Sequence, residues 1–473
     1  MRGDFSRITF RPGKHYSAVL AQQGRVQLDA DGNEQQAIQA HLSRTLATDV
    51  IGPHAGPAGE LGFEIRYDAG GDPPDLTIGG GRYYVDGILC DADRPVPLAP
   101  VQADPGKGTP SEDNPLWTYW TQPDGYLDPE RESDQLPPAP FLAYLKVWER
   151  LVTAVEDPDI QETALGAALP DTAARLRVVW QVLPLRAGGG FDPPYDLSAE
   201  RLRVAFDDWV TGRTRPAAWL AVRAQQPPRT DEDPCIVHPE ARYRGPENQL
   251  YRIEVHQGGA AGPATFVWSR ENGSVIFPIR EIDGVWVTLG SLGRDDKLDL
   301  HVGDWTEVVD DASASRGEPA SLLQVVELDV AGRRVQLSGE PGPDTGHLAA
   351  RHPYLRRWDH RAAGTRGAPG IVEGALQLAE GSWIDLEDGV QVWFATGGSY
   401  RPGDYWVVAA RTRDGDVEWP RDTAGIPLLA PPHGPRYHYA PLAWIPSDGP
   451  ATDLRHAFGP LAYPIEHPPG NGH

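Results

Sequence analysis

From Tyr251 to Arg411 the chain is a succession of strand-sized apolar runs cut by Gly, Pro or Asn-Gly. YRIEVHQGG begins at Tyr251, ATFVWSRENGSVIFPI at Ala264, VWVTLG at Val285 and WTEVVDD at Trp305. LLQVVELDVAGRRVQLSG (Leu322), WIDLEDGVQVWFA (Trp383) and DYWVVAART (Asp404) continue the series. A long helix cannot survive breakers at this density, whereas short strands joined by tight turns can. Gly (52) and Pro (47) are spread along the 473 residues, so the constraint reaches beyond this stretch. The expectation is a mainly β fold of several β-sandwich or small-barrel modules with one amphipathic N-terminal α-helix.

That helix follows GRVQLDADGNEQQ, which starts at Gly24. Ile38, Leu42, Leu46 and Val50 recur every four residues and form one apolar stripe, predicted to lie on a sheet. Asp31 and Asn33 are N-cap candidates, and Gly52-Pro53 is the stop signal. The run from Leu76 to Ala92 reads as a hairpin around Asp86-Gly87, a favoured tight-turn pair. FLAYLKVW (Phe141) and RLRVVWQVLPL (Arg175) read as further strands. HVGDWTEVV (His301) and RPGDYWVVA (Arg401) share a Gly-Asp-aromatic entry into a strand, read as two independent turns.

Composition shifts place domain boundaries. Residues 1–94 form a helix-plus-hairpin domain, and 95–140 a Pro/Asp/Gly-rich linker with enough aromatics to pack down. Residues 141–230 make a β-rich segment, and 231–345 a sandwich or barrel module with a small barrel over 297–339. Residues 346–473 form a C-terminal β module with a Pro-rich tail from Glu466.

Charge and composition exclude several functions. With 43 Lys and Arg against 67 Asp and Glu, the net charge is −24, which opposes sequence-independent nucleic-acid binding. No apolar run approaches the roughly 20 residues of a membrane-spanning helix. MRGDFSRITFRPG lacks the apolar core of a secretory signal, so folding in the cytoplasm is expected. One Met excludes a Met-rich binding groove, and two distant cysteines exclude a disulfide framework.

Motifs with specific chemistry are scarce. Cys235 and His238 have metal-ligand types near Asp231, Glu232 and Asp233, but too few ligands; a small thiol beside a loop histidine is the simpler reading. His352, His360, His433 and His438 with Asp359 lack the spacing that would bring them to one metal. No metal or cofactor is therefore expected. Glu271, Asp385 and Glu387 lie beside aromatics and are the best candidates for a glycosidase pair; they also read as surface and turn residues. There is no G-x-S-x-G elbow or P-loop. Arg2-Gly3-Asp4 reads as a flexible turn. Trp268, Trp305, Trp383 and Trp393 fall inside strands and read mostly as core. The loop aromatics Trp117, Trp120, Tyr126, Tyr400 and Tyr437 are the interface or ligand candidates.

The N-terminal block carries a resemblance. GDFSR from Gly3, QQGRV from Gln22, LDAD from Leu28 with Asn33-Glu34, and DVIGPH from Asp49 resemble the start of an uncharacterised family encoded beside phage-tail-like contractile injection systems. ENQLYRIEVH (Glu247), TFVWSRENGSV (Thr265) and GDYWVVAAR (Gly403) resemble it too, while Gly32 stands where a bulky aromatic is expected. The resemblance implies a non-enzymatic structural or interaction component, at the baseplate periphery or on the tail, with other particle proteins as partners. It also implies assembly in the cytoplasm into a particle that can be released. A carbohydrate-binding protein and a cargo glycan hydrolase are the alternatives.

Overall fold

In the computed structural model of the chain, the described residues are 1–93, 116–165, 171–188, 190–225, 243–361 and 369–461. The fold is mainly β, with many short sheets and few helices. It divides into two compact units. The first takes the described residues of 1–39, 148–179 and 214–436; the second takes those of 40–147, 180–213 and 437–473.

The first unit holds a β-sandwich. Its six-stranded sheet runs in the order Ile371–Val372, Ala375–Gln377, Thr265–Ser269, Gln249–Val255, Tyr405–Arg411, Asp416–Glu418. The facing sheet has three strands, Trp383–Asp385, Val390–Phe394 and Leu220–Ala224. Alternate residues point to opposite faces of a strand. One set from each sheet therefore closes the core: Tyr251, Ile253, Phe266, Trp406 and Val408 meet Leu220, Val222, Val392 and Phe394.

A closed six-stranded barrel is inserted into the sandwich chain. Its strands are Ile276–Asp283, Trp286–Leu289, Arg334–Leu337, Leu322–Asp329, Trp305–Val309 and Tyr354–Trp358, in that order around the barrel. Phe277, Val287, Leu289, Val325, Val335, Leu337 and Leu355 fill it. The barrel is thus wider than the expected 297–339, and the boundary expected at 345 falls inside it. Barrel closure recruits a strand, Tyr354–Trp358, from beyond that boundary. Asn272-Gly273 joins two strands that do not pair with each other, Thr265–Ser269 and Ile276–Asp283. Its positive φ angles turn the chain out of the sandwich and into the barrel. The two Gly-Asp entries do behave alike: Gly303 and Gly403 both have positive φ and each precedes a strand.

In the second unit, Thr452–Asp453, His438–Ile445 and the unit's portions of the strands Phe141–Val152 and Arg175–Arg186 form one sheet. A helix absent from the sequence reading, Ala199–Thr214, covers it through Leu202, Phe206 and Trp209. Their helical spacing after Ser198 was the available signal. The predicted hairpin is present, with strands Arg82–Val85 and Ile88–Asp91 and positive φ at Asp86 and Gly87. Its sheet also includes His54–Pro57 and Ala457–Phe458. A three-stranded sheet pairs Ile65–Asp68, Asp75–Ile78 and Trp117–Thr118. Residues 116–140 of the expected linker pack down: Tyr119 and Tyr126 are buried.

The N-terminal helix, α1, spans Asp29–Ile51, starting two residues before Asp31 and ending as expected at Gly52. Its apolar stripe is not where periodicity put it. Ile38 is buried, but Leu42, Leu46 and Val50 are 49%, 66% and 52% exposed. The half-buried positions around and after Ile38 are instead Ala37, Ala40, Arg44, Ala47, Thr48 and Ile51. Gly87 explains part of the choice: its Cα lies so close to the Arg44 backbone that a Cβ there would sit 2.5 Å from the Arg44 carbonyl oxygen. Small residues and bare backbone permit that approach, and the leucines are left outside.

Candidate functional site

The three-stranded sheet of the sandwich has a second face. With Leu220, Val222, Val390, Val392, Phe394 and Ile384 in the core, the alternate residues must face outward. Those are Trp219, Ala221, Arg223, Gln391, Trp393, Trp383 and Asp385. Cross-strand register sorts them into two rows. Trp383 pairs with Trp393, which pairs with Ala221; Asp385 pairs with Gln391, which pairs with Arg223.

The first row is aromatic. The Trp383 and Trp393 rings meet edge-on, 5.6 Å apart at 61°. Trp219 continues the face and is 40% exposed. The second row is polar and locked. Arg223 Nε donates to Gln391 Oε1 (2.8 Å), and Gln391 Nε2 donates to Asp385 Oδ1 (2.6 Å). The Arg223 guanidinium lies 3.9 Å over the Trp383 ring. Trp383 and Trp393 are therefore half-buried surface residues, not core as strand membership led us to expect. Trp268, by contrast, is buried as expected.

The loop aromatics do not form one site. Tyr126 and Tyr400 are 4% and 2% exposed, and Tyr400 OH donates to Glu380 (2.8 Å), so neither offers a ring to a ligand. Trp120 is half-buried and donates Nε1 to the Pro74 carbonyl (2.9 Å). Trp117 is half-buried on a strand opposite Ile78. Tyr437 packs on the aromatic cluster beneath α2 (Ala199–Thr214), with Lys146 Nζ 4.3 Å above its ring. Burial, with a smaller contribution from Arg213, pushes the Lys146 amine down to about 8. Loops hold these rings because the short sheets need lids, which composition cannot distinguish from open loops.

The carboxylates separate. Asp385 belongs to the outer Trp face. Glu387 accepts from Arg270 Nε (2.8 Å) and Nη2 (2.6 Å) and from Tyr251 OH (3.0 Å). Glu271 pairs with Lys297, which also holds Glu247 at 2.9 Å. Burial raises the Glu271 carboxyl against the pull of Lys297. Arg270 reaches Asp359 as well. Both carboxylates thus sit in ion pairs at the exit from the sandwich into the barrel, where they tie the 270–273 turn down.

The histidines also have separate partners. His352 faces Asp311, His360 Nε2 meets the Gly374 carbonyl, His433 accepts from Val407 N–H, and His438 meets Asp86. Among the described residues, no group of three His, Cys, Asp or Glu side chains could hold a metal. Cys90 is a buried free thiol pushed up to about 12 by burial. Cys235, His238, the acidic run at 231–233 and the tail from Glu466 lie outside the described residues. Among the described residues, no helix is long and apolar enough to cross a membrane.

The N-terminal tripeptide, expected to be a flexible turn, is clamped. Arg2 Nε donates to Glu254 (3.2 Å), and Asn272 Nδ2 donates to the Gly3 carbonyl (2.9 Å). A Cβ at Gly3 would meet Leu151 at 2.6 Å. A family model matches residues 1–190 and 196–450, nearly the whole chain.

The chain belongs to DUF6519, a family of unknown function. No curated protein and no solved structure matches it. The DUF6519 match covers the residues of the clamped N-terminus, the barrel and the Trp face alike.

Proposed function

We propose that this chain is a non-enzymatic interaction component of a phage-tail-like contractile injection system, seated at the baseplate periphery or on the tail. The observation that carries the interaction role is the outward stripe of α1, Leu42, Leu46 and Val50. Leaving three apolar side chains in water at four-residue spacing costs solvation free energy that a partner groove recovers, roughly 25 cal/mol per Å² of apolar surface covered. This spacing is that of a helix laid into an apolar groove. The N-terminal arm supports the same role, with Leu20 and Val26 over 80% exposed. The particle itself is supported by the resemblance of the N-terminal block. The partner is a protein with an apolar groove for a helix.

The test is to purify sheathed particles from the native host and quantify this chain by mass spectrometry. A fixed ratio to baseplate proteins is expected, and Leu46→Asp should remove the chain from particles while leaving it folded. A variable ratio, or absence from particles with no assembly defect on deletion, would overturn the proposal.

A further inference from the structure

The outer face built from Trp219, Trp383 and Trp393 has no role in the docking just described. Three tryptophans on one outward sheet face, two of them in ring contact, are the kind of apolar surface that marks a binding site. Here the aromatic row runs beside a row of planar polar groups already bonded to one another, Arg223 to Gln391 to Asp385. Their geometry is held by the sheet and by the stacking of Arg223 on Trp383. Little ordering remains to be done when a ligand arrives.

We propose that this face binds a neutral polysaccharide. A pyranose ring has an apolar C–H face and a rim of hydroxyls, so it needs an aromatic ring beneath and donors and acceptors at the side. Trp393 and Trp219 supply the stacking surface. Arg223 supplies N–H donors and Asp385 a carboxylate acceptor, with Gln391 fixing both. Trp383 and Trp393 pair directly across two strands, and Trp219 lies two residues before Ala221, the partner of Trp393 on the third, so the aromatics spread diagonally over neighbouring segments, which suits a short run of sugars better than a single ring. The charge pattern selects a neutral chain: Arg223 and Asp385 cancel locally, and the chain as a whole carries −24, which repels polyanions. The same cancelled charges argue against an anionic membrane surface.

The experiment is affinity electrophoresis of the full chain in gels containing hydroxyethylcellulose, xylan or galactomannan, with alginate as the polyanion. Retardation is expected in at least one neutral gel and not in alginate. Trp393→Ala and Trp219→Ala should each weaken it at least tenfold at unchanged melting temperature. Trp286→Ala, which removes a half-buried indole from the barrel, should leave it intact. If Trp393→Ala disturbs folding, Gln391→Ala tests the polar row alone and should weaken retardation several-fold. No retardation in any neutral gel, retardation in alginate alone, or retardation untouched by the Trp219 and Trp393 variants would overturn the proposal. So would self-association in solution that Trp393→Ala abolishes, because the face would then be covered by a second copy. None of these readouts depends on whether the chain is found in particles.

Discussion

Arg2 and Glu254, 252 residues apart in sequence, form a half-buried ion pair that fixes the start of the chain to a central sandwich strand. Arg252 joins them, with Nε 2.5 Å from the same carboxylate, and stacks over the Tyr405 ring at 3.6 Å. Two guanidiniums thus share one acid. Burial pushes the Glu254 carboxyl up, but Arg2 and Arg252 outweigh it and hold the group well below the usual carboxylate range. Glu254→Ala takes the counter-charge from the buried Arg252, which keeps only neutral acceptors on Met1 and Asn272, and should cost about 3–5 kcal/mol. Calorimetry should show it as a lower melting temperature; a change within error would mean water already compensates the pair.

Stability should also fall in mild acid. Burial holds His54, His360 and His433 down to about 4, helped at His54 by His456 and at His433 by Arg11. Unfolded histidine titrates near 6.5, so below that pH the unfolded chain takes up protons that the fold refuses. The stabilising contribution is complete above about pH 6.5 and drains away as pH drops towards 4. A melting temperature flat from pH 7 to 5 would contradict this burial.

The two faces of α1 should respond differently. Ile38→Ala should cost about 2–5 kcal/mol because Ile38 is 1% exposed. Leu46→Ser should change stability by no more than about 0.5 kcal/mol. Equal losses would place Leu46 against the fold.

Two glycines should give opposite signs. Gly32 sits in the first turn of α1 beside a groove of about 560 Å³, with open space where a Cβ would go. Gly32→Ala should stabilise by about 0.5–1 kcal/mol through helix propensity. Gly87 has φ +74° and meets the Arg44 backbone, so Gly87→Ala should destabilise by about 1–3 kcal/mol. Thermal melts of both variants read the signs directly.

Local chemistry was legible. Asp86-Gly87 turns where its positive φ angles are needed, Gly303 and Gly403 open their strands alike, and Gly52 ends α1. Each depends on the conformational reach of one or two residues, which sequence carries in full. The helix at Ala199–Thr214 was legible too, through Leu202, Phe206 and Trp209, but lay in a stretch read as β-rich. The Trp face was hidden for another reason. Thr265–Ser269, buried on both faces, and Val390–Phe394, buried on one, both read as apolar and aromatic, and nothing local says which face has a second sheet across from it.

What the sequence by itself determined is the set of elements: a breaker density that forbids a long-helix fold, alternating strands, and turns at glycine. The tertiary structure alone decided which faces those elements bury. The sandwich closes around an inserted barrel, Trp383 and Trp393 face outward, and α1 rests on small residues with its leucines in water. The reason is physical: a dihedral preference is set within a residue or two, whereas burial requires a partner surface, and here the partners lie up to hundreds of residues away along the chain.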